Sequence, residues 1–221
     1  MKTPCVDTDK AVIRKRFSEF HKLYKDLKNE FSNIFATAPP FPKKVIGSKN
    51  FDEEVLQTRS RAFEKILQYI YSFDEICEHE MFKEFFYLPD LREACMDIRG
   101  GKFRDALNLL KNAVHLQQKL SDDTHEIVAT LGSIVAADIA IDNTQEAEKY
   151  ATAAIDLINH EVGSVYLIPL INTAIELRWR LGMDKRVLEE KLKEIKAKTM
   201  LETEDTRTLR QLACSRYSYT R

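Results

Sequence analysis

The sequence predicts a mainly α protein in which a truncated α+β region is followed by an all-α region built from helical hairpins. Three observations lead to this class. Three adjacent cations, at 14–16, follow an apolar stretch and precede an aromatic residue, and three prolines fall within four positions near residue 40. Apolar residues then recur at helical spacing through most of residues 52–197. The first two features are typical of an extended segment and a loop, and the third is typical of packed helices.

Charge is unevenly distributed along the 221 residues, although the net charge is only −1. Residues 10–49 contain ten Lys and Arg against three acids, whereas residues 50–90 contain four against ten. A basic region on a near-neutral protein indicates a polyanionic partner, either an anionic membrane or a nucleic acid. The acidic second part and the absence of an interleaved aromatic motif argue against nucleic acid as a partner.

The basic run at 14–16 is predicted to end a strand over 12–17. Strand side chains alternate, so Arg14 and Arg16 share one face and Lys15 points to the other. A helix over about 18–32 is expected to follow, with Ser18 as its N-cap. Its buried stripe comprises Phe20, Leu23, Tyr24 and Leu27. Guanidinium groups at this position suit phosphate oxygens, but a solvated basic strand end fits these residues about equally well.

A loop and two further helices are predicted before residue 90. Segment 36–44 carries three prolines and ends in two lysines, which favours an extended path. A helix starts near Asp52, with acids in its first turn. Its apolar stripe comprises Val55, Leu56, Phe63, Ile66, Leu67 and Ile70. A short aromatic helix over 80–86 completes this region.

Residues 91–197 are predicted to form three helical pairs. Small or apolar residues recur at one spacing in two segments: Ala106, Leu110 and Ala113, then Ala147, Ala151 and Ala154. Residues so spaced share a helix face that a neighbouring helix can approach closely, as in the second helices of tetratricopeptide-like hairpins. A third pair, about 165–181 and 184–196, is joined at Gly182, a natural C-terminal stop. Residues 198–221 are polar and weakly periodic, so a disordered tail is expected.

Other features limit the classes of function. The four cysteines have no ligand spacing and fit reduced cytosolic thiols. The longest uncharged window, 162–175, is shorter than a membrane span, so membrane contact is expected to be peripheral. Five scattered histidines and the absence of a Gly-rich phosphate loop predict a protein that is not an enzyme and that uses no cofactor or metal.

Four segments occur in an informative order: 15–20 (KRFSEF), 39–44 (PPFPKK), 55–66 (VLQTRSRAFEKI) and 82–86 (FKEFF). Together they resemble a phox-homology (PX) domain, the phosphoinositide-binding module of sorting nexins. With the continuation into a tetratricopeptide-like region, the chain is identified as a member of the twenty/twenty-one type of sorting nexin. The resemblance implies a partial PX domain over 11–90 and a PX-associated helical-repeat domain over 91–197.

The resemblance also implies a phosphoinositide site. Carried over position by position, Arg16 would hold the inositol 3-phosphate and Phe17 would lie against the inositol ring. Lys44 would contact a neighbouring phosphate, a role that Lys43 could also fill. Arg59 would hold ring hydroxyls or a further phosphate. The alternative for each cation is an ordinary surface position. The expected ligand is phosphatidylinositol 3-phosphate, or a related phosphoinositide, in a membrane.

Two functions compete at this point. PX domains begin with two strands ahead of the Arg-Phe motif, and only ten mostly polar residues precede Ala11, so we expect these strands to be missing. The leading expectation is a peripheral adaptor on the early endosome, acting in protein transport, whose helical domain holds a protein cargo or partner. The alternative is a soluble helical-repeat scaffold whose truncated PX region no longer binds lipid.

Overall fold

The computed structural model describes residues 11–44, 52–161, 163–199 and 207–217, and these ranges contain twelve helices and no strand. In chain order the helices are α1 (Phe17–Glu30), α2 (Ser32–Phe35), α3 (Glu53–Tyr71), α4 (Asp74–Cys77), α5 (Glu80–Phe86), α6 (Leu88–Arg99), α7 (Phe103–Lys119), α8 (Thr124–Ala140), α9 (Thr144–Leu157), α10 (Leu167–Arg180), α11 (Arg186–Thr199) and α12 (Leu209–Arg216).

The chain folds as two compact units. Among the described residues, the N-terminal unit runs from Ile13 to Phe86, and the hairpin unit comprises those from Tyr87 onward together with Ala11 and Val12. The division between the two units falls between Phe86 and Tyr87, four residues before the division expected from the sequence between 90 and 91. Helix α6 therefore lies wholly in the hairpin unit.

The α+β expectation for the first region is wrong for the residues that the structure describes. Residues 11–16 are extended, and their exposure alternates as predicted: Arg14 and Arg16 are exposed, whereas Lys15 is half-buried. A strand needs a partner with which to form a ladder. Val12 is bonded instead to a side chain, since its N–H donates to Asn112 Oδ1 at 2.9 Å and its carbonyl accepts from Asn112 Nδ2 at 3.1 Å.

Helix α1 begins at Phe17, with Arg16 and not Ser18 as its N-cap. The Arg16 carbonyl accepts from the N–H groups of Glu19 and Phe20, at 3.0 and 3.2 Å. In return, the Glu19 carboxylate accepts from the Arg16 N–H at 2.7 Å. A glutamate at the third helical position that reaches back in this way is half of a capping box, and it sets the start of the helix one turn ahead of Glu19.

Aromatic rings form much of the N-terminal core. Phe20 of α1 stacks on Phe63 of α3, with centroids 4.3 Å apart and planes 15° apart. Phe20 also meets Phe85 of α5 edge-on at 4.9 Å. Leu23 and Leu27 are buried as predicted, but Leu56 is 49% exposed, so the predicted stripe of α3 is wrong at that position.

Consecutive helices of the hairpin unit pack against each other from α6 to α11. The pairs α6–α7, α8–α9 and α10–α11 are each closed by a residue with positive φ: Gly101 (77°), Asp142 (61°) and Gly182 (68°). Each turn has the hydrogen bonds of a Schellman motif; for example, the Met183 N–H donates to the Arg178 carbonyl at 2.8 Å. The predicted stop at Gly182 is confirmed, whereas the tetratricopeptide likeness rests on sequence spacing and stays a prediction.

Helix α8 lies at the centre of this unit and is buried continuously from Ile127 to Asp138. It packs against α7, α9 and α12. Despite its apolar character, α8 does not qualify as a membrane span, and neither does any other helix in the described part of the chain.

Helix α12 corrects the prediction of a disordered tail over 198–221 in the part that the structure describes, whereas residues 200–206 and 218–221 lie outside the described residues. Leu209, Leu212 and Ala213 are buried, and the helix packs against α6 and α8. Thr208 caps it, because the Thr208 hydroxyl accepts from the Gln211 N–H at 3.3 Å. Eight residues give too weak a periodic signal for sequence reasoning, and a helix this short is held by tertiary packing.

A polar contact joins the start of the hairpin unit to the turn after α7. The Tyr87 hydroxyl, on a residue only 2% exposed, donates to Asp122 Oδ2 at 2.6 Å. The same oxygen accepts from Gln117 Nε2 at 3.2 Å. Burial, followed by the hydrogen bond to Asp122, raises the pKa of Tyr87 well above its usual range.

We expect Tyr87→Phe to lower the free energy of unfolding by about 1–2 kcal/mol at neutral pH, since a buried hydrogen bond to a carboxylate is lost. The raised pKa also predicts a pH dependence. The unfolded phenol ionises near pH 10 and the folded one does not, so stability is unaffected below about pH 10 and falls above it. Urea unfolding followed by circular dichroism between pH 7 and pH 11 measures both effects.

Above pH 10, the wild-type protein should lose stability more steeply than Tyr87→Phe, by up to about 1.4 kcal/mol per pH unit for the one proton concerned. Parallel slopes for the two proteins would contradict the assigned ionisation.

Candidate anion-binding site

Phe17 and Arg59, two of the four predicted site residues, are in contact. The Arg59 guanidinium carbon lies over the Phe17 ring, 4.8 Å from its centroid. Both side chains are half-buried. A guanidinium over an aromatic face is attracted by the ring quadrupole.

Two further rings hold Phe17 in place. Phe41, from the proline-rich segment, meets Phe17 edge-on with centroids 5.3 Å apart, and Phe63 lies 5.9 Å from it. Phe41 and Phe63 are themselves 5.6 Å apart. The three rings thus join the start of α1, the loop and α3, all within the N-terminal unit.

Arg16 is exposed at the entrance to α1. The first N–H groups of a helix have no intrahelical acceptors, and the helix dipole makes this end favourable for an anion. A phosphate here would meet the positive end of the helix dipole and the Arg16 guanidinium, and it would share this end with the Glu19 carboxylate, which accepts from the Arg16 N–H at 2.7 Å. The structure therefore places Arg16 and Phe17 at the cap and first position of one helix, with Arg59 against the ring.

Lys44 is exposed three residues after Phe41. Its backbone therefore lies within about 11 Å of the Phe41 backbone, the reach of three extended residues. The segment before Phe41 is anchored, since the Tyr24 hydroxyl donates to the Pro39 carbonyl at 3.0 Å. Burial, followed by the neighbouring Tyr69, raises the pKa of Tyr24. Lys44 thus belongs to the neighbourhood of the site, without a direct contact to the other three residues among those described.

Sequence reasoning missed the supporting rings. Phe63 was predicted only as part of an apolar stripe, and Phe41 only as part of a proline-rich loop. The available signal was the position of Phe41 between two prolines, where an aromatic residue can anchor a loop that has few backbone donors. Lys15, predicted to be structural or solvated, lies over the Phe85 ring with its ammonium 5.4 Å from the centroid. Within the described ranges, no group of His, Cys, Asp and Glu could hold a metal ion.

Comparisons with known proteins bear on the family of the chain. The PX domain family matches residues 3–89. The chain is 31% identical to sorting nexin-21 of Mus musculus over 188 residues, which are 84% of this chain and 51% of that protein. It is 32% identical to sorting nexin-21 of Homo sapiens over 84% of this chain and 50% of that protein. Sorting nexin-20 of Bos taurus is 30% identical over 88% of this chain and 61% of that protein.

The matched relatives are longer than this chain, which spans about half the length of the two sorting nexin-21 proteins. No solved structure matches the chain significantly.

The contact between Phe17 and Arg59 predicts a coupling energy of about 0.5–1 kcal/mol in a double-mutant cycle of Phe17→Leu and Arg59→Met. Leucine and methionine keep apolar bulk but remove the ring face and the charge. Urea unfolding of the wild type, both single variants and the double variant measures the coupling.

Arg61→Met provides the matched control, because Arg61 is an exposed arginine on the same helix. Its cycle with Phe17→Leu should give no coupling. A coupling of equal size in both cycles would refute a specific contact between Phe17 and Arg59.

Proposed function

Because the chain belongs to the sorting nexins, of the twenty/twenty-one type, we propose that it is a peripheral, non-enzymatic membrane adaptor in protein trafficking. In this proposal the N-terminal unit binds phosphatidylinositol 3-phosphate, or a related phosphoinositide, on the early endosome. The hairpin unit binds a protein cargo or partner through its tetratricopeptide-like helices.

The contact between Phe17 and Arg59 beside the start of α1 is the observation that supports lipid binding most directly. A phosphoinositide head group combines phosphates with a sugar-like ring. Arg16 and the N-terminal end of α1 supply donors and positive potential for a phosphate. Phe17 supplies an apolar surface for the inositol ring, and Arg59 is fixed beside it by the ring contact.

Each cation has a separate role in this proposal. Arg16 binds the 3-phosphate as a planar fork of donors, which a carboxylate or phosphate accepts in pairs. Arg59 binds ring hydroxyls or a further phosphate. Lys44 contributes a point charge from the loop. Salt weakens the attraction between this charge and a phosphate more than it weakens a paired contact. Membrane binding would rest on these contacts and on the general basic charge of residues 10–49.

We expect this chain to float with vesicles that contain phosphatidylinositol 3-phosphate and not with vesicles of phosphatidylinositol alone. Arg16→Ala should reduce retention about tenfold or more, since a bidentate charged contact contributes about 1.5–3 kcal/mol. Arg14→Ala is the matched control, because Arg14 is also an exposed arginine of the same extended segment and its loss changes the net charge equally.

Equal retention of Arg16→Ala and Arg14→Ala would contradict the role of Arg16. Absence of wild-type flotation with any phosphoinositide would favour the alternative, a scaffold that does not bind lipid.

Substitution of each of the two adjacent lysines at the end of the proline-rich segment tests the role of Lys44. Lys44→Gln should weaken retention severalfold at low salt, and the difference from wild type should shrink as salt rises. Lys43→Gln removes the same charge one residue away and should have a smaller effect. Similar losses in both variants would mean that the loop acts through general charge, without a specific contact to Lys44.

A further inference from the structure

Helix α12 occupies a groove of the hairpin unit that is lined by the first helices of successive hairpins. It packs against α6 and α8, and the backbone of α8 at Gly132 lies beside both Leu209 and Tyr166, the residue before α10. We propose that this groove binds an amphipathic helical segment of a partner protein, and that α12 is an internal competitor for the same groove. The proposal deepens, and rests on, the protein-binding part of the proposed function.

The apolar part of the groove is shaped for a helix that presents two leucines. Leu209, Leu212 and Ala213, at positions i, i+3 and i+4, are buried on α8 and α6. Gly132 of α8 leaves room for them: a Cβ placed there would lie 3.6 Å from the Tyr166 ring and 3.7 Å from a Leu209 methyl. These are ordinary van der Waals distances, so an alanine would fit at position 132, whereas a longer side chain would meet both groups.

Part of the groove recognises the main chain of its occupant. The Cys214 carbonyl, in the last turn of α12, accepts from the Arg99 guanidinium and from the Cys95 thiol at 3.3 Å. The carbonyls of a last helical turn have no intrahelical donors, so any helix in the same position would offer the same acceptor. Arg99 thus favours a helical occupant without depending on its sequence.

Glu126 supplies the side-chain specificity. One of its carboxylate oxygens accepts from the Arg216 guanidinium, and the other accepts from the Tyr217 hydroxyl at 2.8 Å. The occupant is therefore required to carry a cation seven residues after its first leucine, followed by a hydrogen-bond donor. A second cation, near the N-terminal end of α12, adds a contact with α7: the Arg210 guanidinium carbon lies over the Phe103 ring, 5.2 Å from its centroid.

The opposite side of α12 carries no such requirement. Gln211 and Ser215 are exposed. An eight-residue helix has little stability of its own, so α12 is helical because the groove holds it. A partner segment would fold on the groove in the same way and at a similar entropic cost. The predicted partner motif is thus Leu-x-x-Leu-small-x-x-Arg, with a donor next.

A synthetic, fluorescently labelled peptide of residues 207–217 is the probe. In the full-length chain, the double substitution Leu209→Asp and Leu212→Asp frees the groove while leaving its walls intact. Fluorescence anisotropy should show that this variant binds the peptide about tenfold or more tightly than the wild type, whose own α12 competes. A peptide that itself carries both substitutions is the control and should not bind.

A charge reversal tests the groove. Adding Glu126→Arg to the freed variant should lower peptide affinity about tenfold or more, and a peptide with Arg216→Glu should recover it on that variant. A peptide changed only at positions 211 and 215 should bind within about threefold of the original, because those positions face solvent. Loss of binding with that last peptide would overturn recognition by motif.

Three other outcomes would overturn the proposal. The first is equal peptide binding by the wild type and the freed variant. The second is a freed variant that no longer unfolds cooperatively, found together with slow hydrogen exchange in the wild type. If the wild-type amides of 209–216 exchange as slowly as those of α8, then α12 is part of the core. The third is a concentration-dependent wild-type dimer that the freed variant does not form, which would assign the groove to a second copy. Because this assay contains no lipid, its failure is distinct from failure of vesicle flotation.

Discussion

The stacked pair of Phe20 and Phe63 is the contact on which the arrangement of the N-terminal unit depends. Phe17 precedes Phe20 by about one turn of α1, and Arg59 precedes Phe63 by about one turn of α3. When the two rings stack at 4.3 Å, the residues one turn earlier in both helices also lie close together. These residues are Phe17 and Arg59, and the Arg59 guanidinium carbon lies 4.8 Å from the centroid of the Phe17 ring. Core packing therefore positions the candidate site with no dedicated element.

Phe63, one member of this pair, also contacts the proline-rich segment. Phe41 contacts both Phe17 and Phe63, so the loop is attached to the two helices by one ring. Aromatic pairs contribute about 0.5–1.5 kcal/mol each beyond the burial of their surface, and several share members here. In a unit of modest size whose described residues form no sheet, these rings supply the lateral contacts that a sheet would otherwise provide.

Sequence patterns predicted most of the helices because helix formation leaves a periodic signal. The bounds of α5, the start of α3 after Asp52 and the stop at Gly182 all agree with the structure. The start of α1 was missed by one residue. Ser18 is a good N-cap by propensity, but the bond from the Arg16 N–H to the Glu19 carboxylate moves the helix start to Phe17. A local preference was thus overridden by a specific pair.

Features that depend on distant residues were beyond sequence reasoning. The opposite faces of Arg14 and Lys15 were predicted from an extended backbone, but whether that segment finds a strand partner is not encoded in the segment itself. Helix α12 lacks a strong pattern because its stability comes from α6 and α8, more than a hundred residues away in the case of α6. In the candidate site, the types of residue were readable from order and charge, whereas the rings behind Phe17 required the packing of three separate segments.

The positive-φ turns that close the three hairpins restrict where residues can be inserted into the hairpin unit. Gly101, Asp142 and Gly182 are spaced 41 and 40 residues apart, so the three hairpins repeat at nearly constant length. An inserted residue within a helix rotates everything after it by about 100°, which would turn the buried face of the next helix toward water. Insertions within these helices should therefore be disfavoured, and differences in length among relatives should fall in the connections between helices.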